Sequence, residues 1–264
     1  MAGRLALIAG RGALPGAVAG AVADAPLICA LEGNPPDVLR PDRVIQLEKL
    51  GSFLNWLKRQ GVSELCLCGG VDRPSLRWWR LDLATLALAP RIRRALSRGD
   101  DGALRIALDL FEEAGFRVLG AHEVAPELLM PPGTVGTRSG DAEALAALGD
   151  RVSTEQGRAD LGQSCVLRGG QVVTREDDSG TDAMLAGLPQ SEGRDGILYK
   201  APKPGQDRRV DLPTIGPDTV RGAARAGLAG IVIEAGGVIV LDQPEVTQRL
   251  AETGLFLWSR ERRV

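Results

Sequence analysis

The residues best suited to chemistry crowd between Tyr199 and Gly216, which read YKAPKPGQDRRVDLPTIG. This stretch holds two lysines, two arginines, two aspartates, three prolines and two glycines. Prolines at 202, 204 and 213 fix φ and remove backbone donors, so neither a helix nor a central strand runs through it. Lys200 and Lys203 have the charge to meet phosphate oxygens, and Asp207 and Asp211 the oxygens to hold a hard cation. Upstream, REDDSGTDAML at 175–185 puts Glu176, Asp177, Asp178 and Asp182 within seven residues, with Gly180-Thr181 opening an expected helix. Asp182 is either a first-turn acid facing the helix dipole or part of an oxygen-ligand cation site. A solvated loop with surface ion pairs accounts for the same composition equally well.

Two glycine turns offer a complementary chemistry. GRGALP (Gly10, Arg11, Gly12, Ala13, Leu14, Pro15) follows an apolar strand at Leu5–Ala9 and precedes a helix to about Ala23. Strand, glycine turn and helix start together aim free N–H groups at an anion. A second strand, Leu27–Leu31, ends at Glu32, twenty residues after Gly12, where a dinucleotide fold places its ribose-binding acid. Pro15 replaces the third glycine of that pattern, so a nucleotide site and a plain strand-to-helix turn both remain open. GGVDRP (Gly69, Gly70, Asp72, Arg73) follows a strand at Leu65–Cys68, and in an open parallel sheet it would lie beside the first turn. Asp72 and Arg73 are then ligand contacts, or a capping acid with a surface partner. His122 and Glu123 close a later strand, Phe116–Gly120, and are further candidate contacts.

His122 is the only histidine, which excludes a two-histidine metal site. A bound metal would rest mainly on carboxylates, favouring Mg²⁺ or Mn²⁺. Cys29, Cys66, Cys68 and Cys165 form no CxxC pair and are expected to be buried free thiols.

The elements that must position these groups fall into two sets. The N-terminal alternation of strands and helices, including a helix near 52–60 and another from Asp100 to Ala114, predicts a Rossmann-like, doubly wound parallel sheet over residues 1–130. Composition changes at MPPGTVGTRSGD, 130–141, and residues 131–264 read as a smaller α/β domain with antiparallel hairpins. Its helices are expected near Ala142–Arg158 and Asp218–Arg225. Hairpins are expected at 165–174, around Gly169-Gly170, and at 230–242, around Gly236-Gly237. The segment Leu76–Leu96, with RWWR at 77–80 and RIRR at 91–94, suits a membrane-interface helix or an acyl-chain lining. More often such a pattern is a core-facing helix with a basic outer edge.

A chain of 264 residues can bury a substantial core. A net charge of −2 and 3% aromatic residues disfavour nucleic acid as a partner. No apolar run reaches the eighteen residues or so that span a bilayer, and the first strand starts close to Met1, so a cytosolic protein is expected.

Six stretches in order carry a resemblance: LIAGRGALP (7–15), SRGDDGALRIAL (97–108), EEAGFRVLGAHE (112–123), GTDAML (180–185), KAPKPGQDRRVDLPTIG (200–216) and ARAGLAGIVIEAGG (224–237). Together they resemble the bacterial UDP-2,3-diacylglucosamine diphosphatases of lipid A biosynthesis, the type unrelated to calcineurin-like phosphoesterases. The resemblance covers essentially the whole chain. It implies two domains with ligand between them, and hydrolysis of an acylated UDP-sugar to a diacylglucosamine 1-phosphate (lipid X) and UMP. It further implies Mg²⁺ dependence and a cytoplasmic enzyme peripheral to the inner face of the inner membrane; it admits a homodimer as well as a single copy. Arg11 stands where the family commonly has glycine, and Ser179 where it has glutamate, which shifts weight to Glu176. On this reading Asp211 is the principal metal ligand, with Glu176 or Asp182 as second ligand or water-orienting base. Lys200 and Lys203 neutralise phosphate charge, Gly180 and Thr181 contact substrate, and the two glycine turns seat the UMP portion. Two other classes remain: an NAD-dependent oxidoreductase, suggested by GRGALP and Glu32, and a non-catalytic UDP-sugar or lipid-binding module.

Overall fold

The computed structural model describes residues 3–72, 74–97, 100–159, 161–190 and 193–262, with Asp100 and Asp101 described by backbone alone. The chain divides into two units, one of Met1–Pro126 with Asp207–Asp211 and one of Glu127–Gln206 with Leu212–Val264. The second is not the smaller: the two are nearly equal in length. Five residues of the charged C-terminal stretch belong with the first unit, a return that no compositional break announces.

In the first unit, β1 (Arg4–Ala9), α1 (Leu14–Ala21), β2 (Leu27–Leu31), β3 (Arg43–Ile45), α2 (Leu50–Arg59) and β4 (Val62–Cys68) alternate along the chain. They are followed by α3 (Leu83–Leu86), α4 (Ala89–Leu96), α5 (Asp100–Glu113), β5 (Arg117–Leu119) and α6 (Ala121–Val124). The five strands pair in parallel in the order β3-β2-β1-β4-β5. Strand order reverses direction between β1 and β4, the switch point at which doubly wound sheets bind ligands. Both faces of such a sheet need cover, which explains why β1 and β2 are apolar almost throughout. Ala6, Cys29, Leu57, Leu65 and Leu108 lie at the centre of that core, and Val210 packs on it from the returning segment. All four cysteines are buried and free, as their spacing implies, and burial pushes the Cys29 and Cys165 thiols up to about 12.

The second unit comprises β6 (Gly133–Val135), α7 (Ala142–Arg158), β7 (Ser164–Arg168), β8 (Gln171–Arg175), α8 (Thr181–Gly187) and β9 (Ile197–Lys200). The chain continues with β10 (Thr214–Ile215), α9 (Pro217–Arg225), β11 (Gly230–Glu234), β12 (Ile239–Val240), α10 (Gln243–Thr253) and β13 (Phe256–Arg260). Its six-stranded sheet runs β6-β13-β11-β9-β7-β8, parallel at the centre and antiparallel at both flanks. Alternation along these strands builds two cores. Val166, Leu198, Ile231, Ile233 and Leu257 meet α8, α9 and α10, while Leu167, Ile197, Tyr199, Val232 and Phe256 meet α7.

Three expectations change. The β7–β8 hairpin forms, but the one expected at 230–242 does not: β12 pairs in parallel with β10 in a separate two-stranded sheet. The reason is that β11 already has both edges filled, by β9 and β13, so no hydrogen-bonding edge is left for a hairpin partner. Within the 130–141 break, β6 pairs antiparallel with β13 rather than serving only as linker. The 76–96 segment breaks into a 3₁₀ turn at Trp78–Arg80 and two short helices, because Asp82 caps α3 and Pro90 opens α4.

Candidate functional site

In the second unit the chemistry gathers where β8 ends, β9 ends and α8 begins. Glu176 sits just past β8, its amide donating to the Ser164 carbonyl (3.0 Å), and its side chain turns inward over Gly162. A Cβ at Gly162 would stand 2.6 Å from Glu176 Cβ, so glycine there makes room for the acid. Asp177 then closes a turn by accepting from the Ser179 amide (2.9 Å) and hydroxyl, which gives Ser179 a structural use. Gly180 at φ +87° makes the left-handed step into α8, placing Thr181 at its first position.

Thr181 Oγ1 is the hub. Lys200 Nζ donates to it at 2.5 Å, it donates to Glu176 Oε1 at 2.7 Å, and it lies 3.1 Å from Ser164 Oγ. The other Glu176 oxygen accepts from Ser164 Oγ (2.9 Å) and from the Gln163 amide (2.8 Å). Lys200 and Glu176 are 4.0 Å apart and their side chains only 7% and 10% exposed, so the hydroxyl bridges a buried ion pair. Burial pushes the Glu176 carboxyl up, but the Lys200 charge and the hydrogen bonds from Thr181, Gln163 and Ser164 together hold it below its ordinary value. The cluster thus presents a polarised hydroxyl beside a fixed cation. Gln163 also donates to Gln206 (3.0 Å), which accepts the Lys203 amide (3.0 Å), so the loop bearing the second lysine is tied to the same strand start. Asp182, one residue past the hub, accepts from Thr219 Oγ1 at 3.3 Å.

In the first unit the two glycine turns lie side by side, as the sheet order requires. Gly10 donates to the Cys68 carbonyl (2.8 Å), and Arg11 and Gly70 exchange backbone hydrogen bonds (2.8 and 2.9 Å). A Cβ on Gly10 would fall 2.3 Å from the Gly70 oxygen, so the approach depends on glycine. Arg11 grips Asp72 with two hydrogen bonds (2.6 and 2.5 Å), which hold the Asp72 carboxyl below its usual range. Buried Asn34 knits the pair by accepting from the Asp72 amide at 2.6 Å and from Arg11 at 3.3 Å. Asp37 accepts from the Gly12 amide at 2.6 Å, so a carboxylate stands at the turn that sequence assigns to phosphate. Ala13, Leu14 and Pro15 open α1 beyond it. Sequence reasoning passes over Asn34 and Asp37, yet EGNPPD directly follows β2 and reaches the same carboxyl end of the sheet.

The remaining candidates divide. His122 is half-buried just past β5, its Nδ1 without a partner among the described residues, and burial lowers its pKa. Glu123 accepts from the Gly120 amide at 2.7 Å and caps α6. Asp207 is taken up by Arg209 (3.0 and 2.7 Å), which also meets Glu112; Asp211 ends this return, half-buried, in the first unit. Glu32 accepts from Gln46 and Arg77, each at 2.8 Å, where a dinucleotide reading needs a ribose. Arg73 lies outside the described residues. Among the described residues no three His, Cys, Asp or Glu side chains come together to hold an ion.

Comparison with known proteins addresses the two halves separately and then the whole. Residues 4–128 match the family model of the LpxI N-terminal domain, and residues 131–258 that of the LpxI C-terminal domain. A relative from Caulobacter vibrioides, the UDP-2,3-diacylglucosamine pyrophosphatase LpxI, is 40% identical over 276 residues, spanning 96% of each chain. With both domain models matched in order and that identity sustained almost end to end, the chain belongs to the LpxI family.

Proposed function

We propose that the protein hydrolyses the diphosphate of UDP-2,3-diacylglucosamine to 2,3-diacylglucosamine 1-phosphate and UMP, and that it does so at the cytoplasmic face of the inner membrane, where an acylated UDP-sugar is held. The observation that carries this reading is likeness along the full length to a protein named for that activity. The chemistry on either unit supports it. Lys200, held in place by the Thr181 oxygen that accepts from it, is a buried, pre-set cation able to take charge developing on a phosphoryl oxygen, and its rigid hydrogen bonding avoids reorganisation at the moment of reaction. Glu176 accepts from the Thr181 hydroxyl and so keeps its oxygen turned to Lys200. Lys203 adds a second cation, and the paired turns at Gly10–Pro15 and Gly69–Asp72 suit the uridine phosphate.

Mg²⁺, or Mn²⁺ in its place, belongs to this proposal, with Asp211 as principal ligand. By type the donors suit such an ion, since every thiol is buried, the one imidazole is half-buried and hard carboxylate oxygens are what remains, while no three of them gather among the described residues. When bound, the ion would polarise a phosphoryl oxygen. Glu176, both of whose oxygens already accept from this chain, serves better in orienting Thr181 than in ligation. The test is UMP release from the acylated substrate with Mg²⁺ and with EDTA, for wild type and Asp211→Ala. The reading expects loss of activity in EDTA and a fall of about a hundredfold or more in the variant. Undiminished UMP release in both would overturn the metal role, and no UMP release from wild type would overturn the activity.

A further inference from the structure

The 76–96 segment carries an outward apolar surface that includes none of the residues assigned above to phosphate chemistry. Trp79 is 82% exposed and Leu83 87%, with Trp78 and Leu86 about half exposed. These are not side chains left over on a loose loop. The buried Glu48 carboxylate accepts from the Arg77 amide (3.0 Å) and Nε (3.1 Å), and the Glu48 carbonyl accepts from the Asp82 amide (3.1 Å). Thr85 is fully buried, accepts from the Gly51 amide at 2.9 Å, and has its own amide capped by Asp82 at 2.7 Å. Gly51 lets α3 press so close that a Cβ there would stand 2.2 Å from the Ala84 carbonyl oxygen. Leu76, Leu88 and Ile92 face the core. The backbone is therefore fastened from within, in a way that turns two indoles and two leucines to solvent.

The charge on this stretch runs opposite to that of the chain. Residues 77–94 contain five arginines and one acid, Asp82, in a protein of net charge −2. Arg77 pairs with Glu32 and Glu48, and Arg91 with Glu113. Arg80, Arg93 and Arg94 are exposed and make no ion pair among the described residues. Indole rings seat at the boundary between water and acyl chains, and guanidinium groups beside them meet phosphodiester headgroups.

We propose that Trp78, Trp79, Leu83 and Leu86, with Arg80, Arg93 and Arg94, form a docking surface for an anionic phospholipid bilayer. Trp79 and Leu83 insert at the headgroup boundary and the arginines supply attraction. This surface gives the proposed enzyme its route to a membrane-held substrate and to that extent rests on the function proposed above. Binding to vesicles is measured without substrate, so the two readings fail separately.

The experiment is co-sedimentation of the full chain with vesicles of phosphatidylethanolamine and phosphatidylglycerol, and with vesicles of phosphatidylcholine alone. Wild type should partition to the anionic vesicles and weaken with added salt. The triple variant Arg80→Gln, Arg93→Gln, Arg94→Gln should lose about a hundredfold in partitioning, on the scale of one headgroup-facing arginine each. Trp79→Ser with Leu83→Ser should lose about tenfold or more on anionic vesicles, while UMP release from detergent-dispersed substrate stays at the wild-type level. Equal sedimentation of wild type and both variants would overturn the proposal. So would a variant that keeps vesicle binding but raises KM for dispersed substrate, since that outcome assigns these side chains to the acyl chains of the substrate instead.

Discussion

Replacing Thr181 by valine keeps the shape of the side chain and removes one oxygen, which makes it a direct probe of the bridged ion pair. That oxygen receives Lys200 Nζ at 2.5 Å and donates to Glu176 at 2.7 Å, in a site where Thr181 itself is 7% exposed. Water has little access to replace it. A buried group left short of a partner costs about 1–3 kcal/mol, more when it is charged, and here two charged groups lose the same partner. The expected destabilisation is therefore about 2–5 kcal/mol, read as a fall of roughly 5–15 °C in melting midpoint. Thr181→Ser keeps the oxygen and removes one methyl, for about 1 kcal/mol. Denaturant titrations of both variants against wild type measure the difference. UMP release should fall about a hundredfold in the valine variant, because Lys200 loses the oxygen that holds it in place, and much less in the serine variant. A valine variant within about 0.5 kcal/mol of wild type and close to normal in turnover would refute the role given to this hydroxyl.

Three further outcomes follow from the same geometry. The folded chain holds the Glu176 carboxyl below its ordinary value of 4.5, so its contribution to stability is complete above that value and fades as pH falls through the lower folded one. The stability gap between wild type and Glu176→Gln should then be level from about pH 8 to about pH 5 and shrink below, and a gap unchanged down to about pH 3 would contradict this. Gly10→Ala, which would set a methyl 2.3 Å from the Gly70 oxygen, should cost about 1–3 kcal/mol in thermal unfolding and weaken UMP binding in calorimetry; an unperturbed melt would show that the turns can part. Asp37→Ala should strengthen UMP binding roughly threefold or more, because it frees the Gly12 amide and removes a negative charge from the start of α1. Weaker binding in that variant would show that Asp37 shapes the turn rather than competing for it.

Much of this architecture can be read from residues that act locally. The strand β2 and the helix α7 coincide with their expected spans, the one a short apolar run bounded by turn residues and the other a long polar stretch without proline. The neighbouring glycine turns follow from sheet order, which is a topological argument and needs no contact information. What escaped was long-range. Nothing near Gly236 reveals that β11 has both edges occupied, so the glycine pair reads as a hairpin until the sheet is assembled. Trp78 and Trp79 read more readily as part of a core-facing helix, because the buried Glu48 and Thr85 that turn them outward lie in other elements or in a turn too short to show a period. The Thr181 hub depends on Ser164 and Gln163, two ordinary polar residues whose importance comes only from where β7 begins. The return of Asp207–Asp211 to the first unit likewise rests on long-range contacts, among them Val210 on the core and the Arg209–Glu112 pair.

Tyr199 and Lys200 are neighbours in β9 that face opposite sides of the sheet, and each side admits only its own residue. The tyrosine ring fills the space that Gly149 leaves open in α7, where a Cβ would approach within 2.2 Å of it, and its hydroxyl reaches buried Asp150 at 2.6 Å. The lysine has Thr181 and Glu176. Sliding β9 by a single position would exchange their faces, turning an ammonium to the side of α7 and an aromatic ring to the side of Thr181 and Glu176. Correct assembly and chemical competence consequently share one checkpoint. A misthreaded molecule would be inactive and unstable at once, so catalytic output in a refolding mixture should track the fraction with native strand alignment.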